Sequence, residues 1–559
     1  MWNPKTRPSV LFSFVGTISQ ITEGIIMSNK NLFSNKNKSA TLSKKVTLPA
    51  NTVNEAGGTA YKLSDKAALA QYAMTGTLNG TYYATDAEQL KKTLELANKV
   101  DPKFVAKLAV YARQKGLMKD MPAVLAAVVA GKDADLLGQI FTRVIDNPKM
   151  LRNFVQIMRS GAVGRKSLGT RPKKLIQKYL ETLTDEQLFK ADVGNDPSLQ
   201  DIIKLVHPKP TNKQRSALYG YLLDKEYNKK DLVSLAKEYE AFKKDMKGEI
   251  PDVPFQMLTA LPLTDAHWKQ IAENATWNQT RMNLNTFARH KVLADKKLVD
   301  VLAAKLSDPE QVKRSKTFPY QLFTAYLNMD STIPVKLTNA LQDAADASLD
   351  NIPEFPGKVF VMVDTSGSMS SAVTGNRGTV TSKMRCIDVA ALVAASILRK
   401  NPDTEIIPFD TSVHVGHRFN PRDSIMTNAK TLASFGGGGT NCSAALEYVN
   451  KKAGKGDLVI YVSDNESWVD SQGASSGMFS YRRNGTATMI EWNKFAARNK
   501  GAKLVCIDVQ PVASTQAHDR EDILNVGGFS DQVFDVIARF VELGNNKDLW
   551  IKTIEEVKL

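Results

Sequence analysis

Along this chain the spacing of apolar and polar positions changes once, near residue 353. From about Tyr61 to Asp350 apolar residues recur every three or four positions, as in helices that bury one face. Phe104, Leu108 and Tyr111 share such a face behind Asp101-Pro102, a capping acceptor followed by proline in the first turn. Met121-Pro122 opens a helix over 123–130, Asp135 one over 136–145, and Pro172 one over 173–183. Asp308-Pro309 starts another. About a dozen helices on short polar turns predict an antiparallel array or α-solenoid. No clean repeat period is visible, so any repeats are degenerate.

Beyond Pro353 and Pro356 the pattern becomes short, unbroken apolar runs alternating with helical stretches. Buried strands are expected at 358–363, 404–409, 457–463 and 502–508, with another near 532–537 and a largely apolar helix from Cys386 to Leu398. That alternation predicts a doubly wound, mostly parallel sheet. The expected division is a polar arm over 1–60 with little reason to fold alone, a helical domain over 61–352 and an α/β domain over 353–559. At the N-terminus, Val10 to Ile18 faintly resembles a signal peptide. Ser13, Gly16 and Thr17 break it, no cleavage site follows, and it is too short to span a membrane. Met27 reads as a natural start, which makes residues 1–26 an upstream extension.

Charge sharpens this division. Residues 1–350 hold 51 Lys and Arg against 35 Asp and Glu, whereas residues 351–559 hold 23 of each sign. The whole net charge of +16 therefore precedes the α/β domain, and a polyanion is the partner expected for the helical part alone. Residues 151–180 contain eight Lys and Arg and no acid. Arg165, Lys166, Arg171, Lys173 and Lys174 stand there among Gly, Ser and Thr, ahead of a helix, a combination suited to phosphate. A second cluster, Trp277 to His290, mixes amides and aromatics with Arg281, Arg289 and His290, types that hydrogen-bond to and stack on unpaired bases. The same residues also serve as caps and core. The three cysteines, Cys386, Cys442 and Cys506, form no C-x-x-C and no disulfide framework, which fits a reducing cytoplasm.

The α/β part carries the sharper chemistry. Val359 to Val363 ends in Asp364-Thr-Ser366-Gly-Ser368, three hard oxygen ligands on one tight turn at the carboxyl end of a buried strand. Phe435 and four glycines lead to Thr440, and the strand 457–463 runs into Asp464. A doubly wound sheet can bring Asp364, Ser366, Ser368, Thr440 and Asp464 to one edge. Such a donor set suits a divalent cation, Mg²⁺ above all. The glycines lack the lysine of a phosphate-binding G-x-x-x-x-G-K-[ST] loop.

This constellation resembles the metal-ion-dependent adhesion site of von Willebrand factor A domains, over about residues 357–540. Asn79-Gly-Thr-Tyr-Tyr83, the Gly164–Lys174 loop, Leu205-Val-His-Pro-Lys-Pro210, Asn283–His290 and Lys316-Thr-Phe-Pro-Tyr320 resemble TROVE-domain signatures. TROVE followed by a von Willebrand A domain is the order of the Ro family, including its bacterial and phage orthologues. The resemblance implies a HEAT-like helical ring, monomeric and cytoplasmic, without catalytic residues and without a membrane role. It implies binding of Y-like small RNAs and of single-stranded 3′ ends of misfolded noncoding RNA, in RNA quality control or processing. It also implies an exoribonuclease tethered through the RNA and a protein ligand that gives a carboxylate to the metal. One departure is Leu199, between Asp196 and Asp201, where animal members have a histidine; transfer of their Y RNA contacts is weakened there. Two other classes compete with this reading. A protein adhesion module would show a flat salt response with RNA. A hydrolase using Asp364 and Asp464 lacks a nucleophile–base pair, since His414 and His417 follow another strand.

Overall fold

A computed structural model describes residues 48–315, 317, 319–375, 384–468, 485–530, 532–543 and 546–559. The Val10–Ile18 stretch and the Met27 start lie outside the described residues, as do Lys316 and Phe318 of the Lys316–Tyr320 signature. Leu48 to Leu559 forms one compact unit.

The helices begin for local reasons. Ahead of the helix Pro102–Gln114, the Asp101 carboxylate accepts from the Phe104 amide at 2.8 Å. The helix Met121–Lys132 has proline in its first turn, and Pro309–Ser315 follows Asp308, which accepts from the Glu310 amide at 2.9 Å. Two starts differ from expectation. The cap of Ala134–Val144 is Asp133, accepting from the Asp135 and Leu136 amides at 2.9 and 3.0 Å. Asp135 instead lies in the first turn, where an acid also suits the helix dipole. The helix expected to open at Pro172 starts at Thr170, because proline is tolerated anywhere in a first turn whose N–H groups need no partner.

In the α/β part, β3 (Val359–Asp364), β4 (Glu405–Phe409), β5 (Leu458–Ser463), β6 (Lys503–Asp508) and β8 (Ile523–Gly527) form a sheet in the order β4-β3-β5-β6-β8. Every pairing in it is parallel. The chain leaves β3 to one side for β4, then returns to the other side for β5. The strand order thus reverses at β3, and open parallel sheets form a crevice beyond the carboxyl ends of strands at such a point. All six residues of β3 and of β5 are buried, which explains the unbroken apolar runs Val359–Val363 and Leu458–Val462.

Two expectations are corrected here. Residues 532–537 are not a strand: Gln532–Leu543 is a helix that buries Val533, Phe534, Val536, Ile537 and Phe540, and the fifth strand is β8. A six-residue window is too short to separate a period of 2 from one of 3.6. The polar arm also ends before residue 60. β1 (Thr52–Val53) pairs antiparallel with β2 (Thr59–Lys62), which pairs with β7 (Ser514–Thr515). The hydrogen-bonding partner that orders this segment lies some 450 residues away, so local composition could not show it.

Both ends of the helical array rest on the α/β domain. Asp65–Thr75 packs on β8, and the C-terminal helix Leu549–Glu555 packs on Pro102–Gln114. Pro319–Leu327 and Val335–Ala347 pack on the helices Cys386–Lys400 and Ile425–Leu432. One continuous apolar core runs through both parts, from Leu63 to Ile554.

Candidate functional site

The strand ends deliver their carboxylates into the crevice beside β3. Asp364 closes β3, and Asp464 directly follows the neighbouring β5; both are fully buried. The Ser463 hydroxyl donates to Asp364 Oδ2 at 2.6 Å, and the Ser366 amide donates to Oδ1 at 2.9 Å. The Ser366 and Ser368 hydroxyls lie 3.2 Å apart. The glycine run is pressed onto this turn: the Gly437 amide donates to the Thr365 carbonyl at 3.1 Å, and the Gly367 amide donates to the Gly438 carbonyl at 2.9 Å. At Gly436, with φ +104°, a Cβ would sit 1.8 Å from the Thr365 carbonyl oxygen. Only glycine allows that approach. It brings the buried Thr440 to the same edge.

This geometry leaves charge uncompensated. Burial pushes the Asp364 and Asp464 carboxyls above their usual range, and the negative charge of Asp364 raises Asp464 further. Taking a carboxylate out of water costs several kcal/mol even after relaxation. A hydrogen bond to a charged group returns about 1.5–3 kcal/mol. Asp464 Oδ2 has no hydrogen-bond partner, so its pair of oxygens requires a proton or a cation. The donor set of two carboxylates and three hydroxyls fits a hard divalent ion such as Mg²⁺. Among the described residues no three His, Cys, Asp or Glu side chains group closely enough to hold a metal alone. An ion here would depend on the hydroxyls and on water.

Several residues of this crevice escaped the sequence reading. Glu466 is fully buried, and burial, with Asp464 next in weight, pushes its carboxyl up to about 9. Its Oε2 accepts from the Ala56 amide at 3.2 Å in the β1–β2 turn. Asp508, at the end of β6, is raised by burial and then by Asp464, and receives the Gln71 amide at 2.6 Å from the helical part. Tyr83 arrives from the helical part as well. Its phenol lies beside Ser368, and burial, then Asp464, hold its pKa high. The loop bearing it is tied down where Asn79 Nδ2 donates to the Thr374 carbonyl at 3.1 Å. The signal for Glu466 was its place two residues after Asp464. Tyr83 stood in a noticed motif, but nothing in the sequence linked it to the crevice.

The basic stretch folds as a turn and the helix Thr170–Thr182, which starts behind Gly169 with no side-chain cap. Lys166 and Lys174 are exposed, and Lys173 is half-buried. Arg171 pairs with Asp135 at 3.2 Å on open surface, a contact worth at most about 1 kcal/mol and easily exchanged for phosphate. Arg165 is partly committed: it donates to the Ala130 carbonyl at 3.0 Å, in the last turn of Met121–Lys132.

The second cluster does not form one surface patch. Trp277 and Phe287 are core, and Trp277 Nε1 donates to the Leu306 carbonyl at 3.0 Å. Asn283 and Asn285 donate to the Gln279 and Asn328 carbonyls, both at 2.8 Å. Arg281 is half-buried, and its guanidinium donates to the Gln321 carbonyl, 2.8 Å away. Arg289 remains exposed, bonded to the Thr286 hydroxyl at 3.1 Å. His290 stacks on Trp268 with ring centroids 4.0 Å apart.

Comparison with known proteins agrees with this architecture. Residues 358–541 match the family model of the Ro60 vWA domain. The RNA-binding protein RO60 of Deinococcus radiodurans is 21% identical over 527 residues, spanning 87% of this chain and 94% of its own length. The crystal structure of the Deinococcus radiodurans RO (RSR) protein superposes with a TM-score of 0.55 at 19% identity. That match covers 86% of this chain and 99% of the other.

Proposed function

We propose that this chain is a Ro-type protein, from its matched domain and its similarity to a Ro protein over 87% of its length, and that it binds RNA through its helical part and a divalent cation through its α/β part. The observation that carries the RNA reading is the acid-free stretch 151–180, which presents Lys166, Arg171 and Lys174 to solvent beside a helix start free of a side-chain cap. Lysines and arginines on open turns give sequence-independent affinity for phosphates. The RNAs we assign are Y-like small RNAs and the single-stranded ends of misfolded noncoding RNA, with an exoribonuclease acting alongside. The direct experiment is to purify the protein with its RNA, sequence that RNA and map its ends. Random fragments in proportion to total cellular RNA, with an affinity insensitive to salt, would defeat the reading.

For the cation, the residues are Asp364, Ser366, Ser368, Thr440 and Asp464. Bound there, Mg²⁺ would supply a Lewis-acidic position able to accept a carboxylate from a protein ligand. The chain's own residues do the rest. The two aspartates set the charge, the hydroxyls add donors without adding charge, and Gly436 lets the glycine run close on the turn. We read the protein as non-enzymatic. His414 faces Asp410 at 3.2 Å and stacks on Phe435, while the Ser366 hydroxyl is engaged with that of Ser368. In the described residues no helix is long and apolar enough to cross a membrane, and we assign the protein to the cytoplasm.

A further inference from the structure

A cavity of about 370 Å³ opens where the helices Trp277–Arg289 and Pro319–Leu327 meet Val373, Thr374 and Met384 of the α/β part. That is within the range of small-ligand sites. Arg281, Tyr320, Asn328, Met329, Val373 and Met384 are among its walls. Most of the wall is apolar, and two of its polar residues carry spare hydrogen-bonding capacity. Arg281 Nε is buried without a partner, and so is Asn328 Oδ1.

The charge of Arg281 is the stronger clue. A buried guanidinium is ordinarily paired with a carboxylate, since an unpaired one costs several kcal/mol. Here the contacts are the Gln321 carbonyl at 2.8 Å, Asn278 Oδ1 at a marginal 3.5 Å and the face of the Trp277 ring, 5.9 Å from the guanidinium carbon. No described acidic side chain forms an ion pair with it. Burial lowers its pKa to about 10, the direction expected when no acid offsets desolvation. The cavity therefore offers a cation with no carboxylate partner among the described residues, a spare amide acceptor and a thioether-lined wall. An anionic ligand with a flat, weakly polar body and an amino or imino donor meets all three.

We infer that this cavity takes one nucleotide of a bound RNA strand, its phosphate or base carbonyl on Arg281, its base along the methionine wall and a base N–H on Asn328. This rests on the RNA-binding reading and adds a site within the joint between the two parts, apart from the basic turn. Apolar contact with a base face and pairing of a phosphate with a desolvated arginine are sequence-tolerant, whereas the hydrogen bond to Asn328 reads the base edge.

The test uses the full chain and two variants. Arg281→Met removes the charge at similar volume, and Ala325→Trp fills the cavity from the wall. Binding of a fluorescent single-stranded eight-nucleotide RNA is measured across a salt series, and binding of UMP and AMP by calorimetry, with melting curves as the fold control. Both folded variants should lose about tenfold in oligonucleotide affinity. For Arg281→Met the slope of log affinity against log salt should fall by about 0.7, one phosphate's share. Unchanged oligonucleotide binding in both folded variants overturns the inference. Loss of UMP or AMP binding without loss of oligonucleotide binding also overturns it, by making the occupant a free nucleotide. If the parent chain binds no RNA even at low salt, the RNA reading itself fails. A parent that binds while folded variants bind equally well removes only the cavity.

Discussion

The sheet crevice and the basic turn both gather charge, and they do so in opposite environments. Asp364, Asp464, Glu466 and Asp508 are buried, come from three parallel strands, and are held by hydroxyls and amides of fixed geometry. Lys166, Arg171 and Lys174 lie on open surface, with one exchangeable ion pair among them. In the function proposed above, the first arrangement concentrates unfavourable charge that one small, hard ion would relieve, and the second spreads positive charge that a long, variable polyanion would use. Burial is what distinguishes the two proposals.

The largest expected effect tests whether the two regions are independent. Asp364→Ala should abolish Mg²⁺ and Mn²⁺ binding by calorimetry while leaving RNA affinity unchanged, with or without EDTA. Loss of RNA binding in a folded variant would show that the crevice and the helical surface act together. Next, changing Arg165, Lys166, Arg171, Lys173 and Lys174 to Gln should lower affinity for all RNAs by at least tenfold in low salt and flatten the salt dependence, with cation binding intact. An unchanged slope would remove the turn from the interface.

Within the basic turn the burial argument gives a finer contrast. Arg165→Gln removes a donor from the Ala130 carbonyl and should destabilise the fold by about 1 kcal/mol. Lys166→Gln should leave stability within about 0.5 kcal/mol, as expected for exposed positions. Urea titration of both variants decides this, and equal losses would mean that Arg165 is not a structural anchor. Tyr83→Phe should have a smaller effect. It removes the phenol oxygen beside Ser368 and should tighten Mg²⁺ binding by a few-fold, with RNA binding unmoved; weaker cation binding would instead make Tyr83 part of the ligand shell. The smallest change is expected from a chain beginning at Met27, which should melt and bind RNA like the full protein.

The helical and α/β halves, the strands β3 to β6 and the edge carboxylates Asp364 and Asp464 were readable from the chain because each depends on neighbouring residues. An apolar run five or six residues long that stops at Asp and Ser is a local signal, and so is Asp101-Pro102 before a helix. Sequence also fixed where the net charge lies, since that is a sum and needs no fold. Tertiary structure alone decided the rest. It ordered residues 48–62 by giving β2 a partner at Ser514–Thr515, and it brought Tyr83 and Gln71 from the helical part to the crevice. It also set the Arg281 guanidinium between the Gln321 carbonyl and the Trp277 ring, beside a cavity and with no described carboxylate paired to it. Each of these outcomes depends on contacts between residues hundreds of positions apart or on which face of a helix meets its neighbour. Local periodicity shows that a face is buried, whereas only packing determines what it is buried against.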